Sequence, residues 1–123
     1  MKKPSKFISG NLYDKVKKEP ETKEWFIGHF IKKGSIFHSN NFEVKWGVGK
    51  KGEFKKGLSS KKSAKTIGIL IKGKLSMRFP ETKKEVIMSK VGDYVIYDAC
   101  EVWHETEALE DSTIITIRWP SKR

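Results

Sequence analysis

Apolar and polar positions alternate most clearly in the second half of this chain, and the first half carries the same rhythm in one place. Phe42, Val44 and Trp46 fall on every second position of FEVKWGV, the signature of a strand with one covered face. Upstream, WFIGHFI from Trp25 is apolar and aromatic and reads as a first strand or anchoring segment. Beyond residue 64, TIGILI leads through Lys72-Gly73-Lys74 into LSMRF, with Leu75, Met77 and Phe79 alternating. The glycine suits a hairpin turn that needs a positive φ. PETKK is the next turn, EVIMS the next strand, VGD a turn into YVIY, and EDS a turn into TIITIRW, where Pro120 ends the pattern.

Between these segments, residues 47–65 (GVGKKGEFKKGLSSKKSAK) hold four glycines and seven lysines, and they read as a long loop with room for poorly formed strands at most. Residues 1–24 are polar, rich in lysine and punctuated by Pro4 and Pro20, which predicts an irregular N-terminal arm, with at most a helical turn at NLYDKVKK. Short strands about every ten residues with no long helix predict an all-β fold, an antiparallel sandwich or barrel over residues 25–121.

Composition narrows the function classes. At 123 residues the chain is expected to form one domain with a modest core. No apolar run approaches the length of a membrane span, so no membrane partner is expected. MKKPSKFISG has the basic start of a signal peptide without its apolar middle, and the single cysteine, Cys100, suits a reducing compartment; both point to the cytoplasm. The net charge of +11 rests on 23 lysines and three arginines, Arg78, Arg118 and Arg123. Specific readers of nucleic acid lean on arginine, whose planar fork fits guanine edges and phosphates. This lysine excess fits a nonspecific, salt-sensitive attraction to polyanions better, and a basic nucleic-acid module stands as a second alternative.

The stretch GDYVIYDACEVWHET, residues 92–106, carries the candidate chemistry. Gly92-Asp93, a strand, a turn of small residues and then a histidine resemble the second motif of the cupins, written G-x5-P-x-G-x2-H. TIGILIKG, with Gly73 closing a strand, resembles the end of the first motif, G-x5-H-x-H-x3-4-E-x6-G. The resemblance implies a small jelly-roll barrel, a double-stranded β-helix. It also exposes departures. In the second motif the proline place falls on Asp98, the second glycine place on Cys100 and the histidine place on Trp103. Either the DACEV turn holds one extra residue, or His104 points the other way. A turn absorbs a residue more cheaply than a strand, so the insertion is favoured and His104 is expected to face inward.

In the first motif the glutamate place falls on Thr66, and the histidine places fall among Ser59, Ser60, Lys61 and Lys62; a shorter motif would put Gly49 there. Ammonium groups repel a divalent cation, and a catalytic metal needs about three good protein ligands. The motifs are therefore degenerate, and no metal or other cofactor is expected. A site of His104 with His38 and Glu53 is the metal-binding alternative.

The expected role is to bind an unidentified small molecule in the barrel, with His104, Trp46, Thr66, Tyr97 and Trp103 as candidate ligand contacts and no catalytic residue assigned. Lys45 alternates with Val44 and Trp46 and is expected to be solvated, and Arg118 to pair with Asp93 or Glu43. Glu105 and Glu107, with Glu110 and Asp111, read as a solvated acidic patch. Ser59 to Lys62 lack the burial that a serine–lysine nucleophile needs, and acidic neighbours hold the Cys100 thiol unreactive. The resemblance also implies a homodimer, paired through the WFIGHF edge. The alternative is a small cupin enzyme, an isomerase or epimerase or a metal-dependent oxygenase, in which His104 moves a proton.

Overall fold

A computed structural model describes residues 6–58, 64–98 and 103–122. It contains two antiparallel sheets facing each other, as an all-β jelly roll requires. Among the described residues the strands are β1 (Trp25–Ile27), β2 (Glu43–Gly49), β3 (Phe54–Leu58), β4 (Lys65–Lys72), β5 (Leu75–Phe79), β6 (Lys84–Met88), β7 (Tyr94–Asp98), β8 (Trp103–Ala108) and β9 (Ser112–Trp119). The five-stranded sheet runs β1-β2-β9-β4-β7 and the four-stranded sheet β3-β8-β5-β6.

Alternation assigns the faces. Leu70, Leu75, Met77, Met88 and Ala108 form the buried cluster between the sheets, with Phe79, Val86, Val95, Tyr97 and Ile114 packed around it. Leu70 and Met88 have no exposed surface. Gly73 has φ +90° at the β4–β5 turn, and a Cβ there would lie 2.2 Å from the Asp111 carbonyl oxygen, so only glycine fits. Asp93 closes the β6–β7 turn by accepting from the Ser89 and Lys90 amides at 2.9 and 3.0 Å.

Within the N-terminal arm, Leu12–Lys18 form a helix, α1. Asn11 caps it by accepting from the Tyr13 and Asp14 amides. Its inner side carries the buried Val16 and Tyr13, whose ring meets Trp46 edge-on at 5.3 Å and whose hydroxyl bonds Thr113 Oγ1 at 2.6 Å. No described helix is long and apolar enough to cross a membrane.

The loop expected over residues 47–65 is corrected. Its first residues complete β2, Phe54–Leu58 form β3, and Lys65 opens β4. Pairing with β8, from Phe54↔Glu107 to Leu58↔Trp103, supplies the order that composition hides. Ser59, Ser60, Lys61, Lys62, Cys100 and the DACEV turn beyond Asp98 lie outside the described residues. Glu105 and Glu107 belong to β8 rather than to a turn. With Glu85 they surround the Arg78 guanidinium at 3.3–3.8 Å on the outer face.

Candidate functional site

Between the two sheets lies a cavity of about 210 Å³, lined by the inward positions of both. His104 is one of them. It sits opposite Gly57 in the β3–β8 pair, where a Cβ would come within 2.7 Å of its Nε2. The missing methyl is the space the imidazole occupies. Tyr97 from β7 lies beside it, ring centroids 5.6 Å apart, and Phe79 closes the aromatic corner at 5.6 Å from Tyr97. Burial raises the Tyr97 phenol pKa above its ordinary value, against the pull of the Arg118 charge and of the nearby Thr66 hydroxyl.

Thr66 connects that corner to a chain of polar groups. Its Oγ1 accepts from Arg118 Nε at 3.2 Å, and Arg118 Nη1 donates to Glu43 Oε2 at 3.2 Å. Ser121 donates to the other Glu43 oxygen at 3.0 Å and accepts from the His29 amide. Glu43 and Thr66 are buried, so each link satisfies a group that would otherwise be costly to hold away from water. Of the two partners expected for Arg118, the structure selects Glu43.

The cavity wall also carries cations. Lys45 and Arg118 both approach the Trp25 ring, at 5.8 and 4.9 Å from its centroid. Lys55 also lines the cavity, with Glu24 and Glu53 at 3.8 and 3.9 Å. Lys45 is held below the ordinary lysine pKa, first by burial and then by Lys55 and Arg118, with Glu24 pulling the other way. It is therefore not the solvated side chain expected. Its strand is covered on both faces, α1 lying over the outer one.

Three of the five candidate contacts, Thr66, Tyr97 and His104, come together at the cavity. Trp46 and Trp103 do not. Trp46 shares a face of β2 with Val44, under Tyr13 of α1. Trp103 precedes His104 by one residue and so faces outward, with Lys56 Nζ 5.8 Å from its ring centroid. Sequence reasoning missed Lys45, Lys55 and Trp25. Their signal was parity: Lys45 takes the position opposite to Val44, Trp46 and Val48.

A catalytic transition metal needs a cluster of strong donors. Among the described residues no three of His, Cys, Asp and Glu come together in a metal-holding group. His38 uses Nδ1 on the Ile31 carbonyl at 2.7 Å, and Glu53 stands beside Lys55. Around His104 the cavity offers hydroxyls and cations, which do not fit a divalent ion.

No protein-family profile matches the chain. No curated protein sequence matches it. Solved structures do. An RmlC-like cupin from Desulfovibrio desulfuricans superposes over 98% of this chain and 97% of its own, with a TM-score of 0.58 at 12% identity. A cupin superfamily protein from Desulfitobacterium hafniense matches over 66% of this chain and 69% of its own, with a TM-score of 0.56 at 11% identity. The fold is that of the cupins. KdgF from Halomonas sp. is a further cupin-fold neighbour, covering 68% of this chain and 72% of its own at 19% identity and a TM-score of 0.57. At such identities the likeness carries the cupin fold and leaves function to the residues of the site.

Proposed function

We propose that this cupin-fold chain binds a small organic molecule in the cavity between its sheets and does so without a catalytic metal. The observation that carries the reading is the hydrogen-bonded chain Glu43–Arg118–Thr66, which ends in the cavity wall where the Tyr97 phenol, kept neutral by burial, lies beside His104. A volume of about 210 Å³ holds roughly seven waters at bulk density, less than a drug-sized ligand needs. The test is binding of a library of small metabolite-like compounds, followed by amide NMR shifts. Shifts gathered on β4, β7 and β8 and weakened in Tyr97→Phe and His104→Ala support the reading. Hits that perturb only the outer faces remove it.

A catalytic reading draws on the same pair. His104 and Tyr97 are ring neighbours in one cavity and could exchange a proton with a bound molecule. Solvent deuterium entering a bound hit at a rate abolished by His104→Ala would establish it.

A second copy of the chain is proposed as a partner, through β1, the edge of the five-stranded sheet. Sedimentation as a single chain at micromolar concentration would remove that partner.

A further inference from the structure

Lys45 stands out among the inward-facing groups because its charge is not answered. Arg118 has Glu43 at 3.2 Å, and Lys55 has Glu24 and Glu53 within 3.9 Å. Among the described residues Lys45 has no carboxylate within ion-pair distance, and its ammonium lies over the Trp25 ring, 5.8 Å from the centroid. Strand geometry fixes this arrangement. Lys45 faces inward opposite Thr116, and its inward neighbours along β2 are Glu43, whose carboxylate is taken by Arg118 and Ser121, and Gly47, which adds no side chain. The ammonium thus sits in the cavity wall with two further cations near it and only Glu24 pulling in its favour.

Holding an ammonium there is costly unless something negative completes it. We propose that the ligand is a small monocarboxylate whose carboxylate group is held by Lys45 at the Trp25 end of the cavity, with its body toward Tyr97 and His104. This rests on the small-molecule reading above and names the class of ligand. A single carboxylate matches the single unanswered charge. A phosphate dianion would require a second unmatched cation, and Arg118 and Lys55 are already paired. The apolar inward residues Leu75, Met77 and Ile114 suit a short hydrocarbon body. An incoming anion also restores the proton that burial and like charge loosen on Lys45, so binding at a pH between the lowered value and 10.5 takes up a proton.

Titration calorimetry on the full chain tests it, with propionate and benzoate, their amides propionamide and benzamide, and inorganic phosphate as probes. At neutral pH each acid is expected to bind at least about tenfold tighter than its amide, the margin of one charge-assisted hydrogen bond. In alkaline buffers of different ionisation enthalpy the observed heat should differ by the proton taken up. Lys45→Gln should bring acid and amide to equal affinity, while Lys55→Gln, whose charge is already paired, should keep the preference. Equal affinity of acid and amide for the unaltered protein overturns the inference and leaves small-molecule binding standing. Phosphate binding tighter than both acids overturns the carboxylate class. A preference that survives Lys45→Gln overturns the residue. Binding of none of the five probes, alongside library hits in the cavity, overturns the inference alone. If the library also leaves the cavity empty, both readings fail.

Discussion

Gly57 and His104 face each other across the β3–β8 pair, and the imidazole rests where a Cβ of residue 57 would stand, 2.7 Å from Nε2. The neighbour is a ring packed in an aromatic corner, so it cannot swing aside freely. Gly57→Ala is expected to displace His104 and to destabilise the fold by about 1–3 kcal/mol, the usual cost of overpacking. His104→Ala in the same chain should recover part of that loss. Urea denaturation of the two single variants and the double variant measures the coupling. Additive effects would show that ring and glycine do not touch.

Lys45 gives the stability curve a specific shape. Its pKa falls on folding from the ordinary 10.5, so the folded chain gives up this proton at lower pH than the unfolded chain does. Between the lowered value and 10.5 the unfolded state binds more protons, and stability rises with pH. Below that window both states are charged, and the folded state bears the full penalty. Lys45→Met removes the group. The difference in unfolding free energy between wild type and Lys45→Met should therefore move in favour of wild type as pH rises through the window. A difference that is flat with pH would show that Lys45 is solvated.

The sequence reveals strands where one face is apolar and the other polar, as in TIGILI and LSMRF. β3 breaks that rule. Its inward positions are Lys55 and Gly57, its outward ones include Lys56, and its order comes from pairing with β8, a partner some fifty residues away in the chain. Composition alone cannot show such a pairing. β2 misleads in the opposite sense: Val44, Trp46 and Val48 advertise a buried face correctly, but α1 covers that face, and the cavity receives Lys45 and the glycines. The helix leaves only the spacing of Tyr13 and Val16 as a clue. His104 was legible as inward, and Trp103 then had to be outward, because neighbouring strand residues alternate.

Glu43 joins Arg118, Ser121 and, through Ser121, His29. The Glu43 side chain is 6% exposed and that of Arg118 is 18% exposed. Truncating one member strands the other charge away from water. Glu43→Ala is expected to cost about 3 kcal/mol in urea denaturation, and Glu43→Gln less, because the amide oxygen still accepts from Arg118. The same change releases the guanidinium that orients Thr66, so the Tyr97 phenol should shift in its NMR or ultraviolet titration. Equal stability of Glu43→Ala and wild type would mean that the network contributes nothing net.

The inner surface also makes a prediction about metals. Three strong donors are the minimum for a catalytic transition-metal centre, and each neighbouring cation weakens the field that would hold one. His104 faces a cavity whose lining also carries hydroxyls, Lys45, Lys55, Lys56 and Arg118, with the lining carboxylate Glu53 beside Lys55 and the neighbouring Glu43 engaged by Arg118. Protein purified without chelator should carry no stoichiometric zinc, iron, nickel or manganese, and adding these ions should leave its thermal midpoint unchanged. Elemental analysis showing one metal per chain, lost in His104→Ala but kept in His38→Ala, would establish a metal site at His104 and overturn both this prediction and the metal-free reading of the cavity.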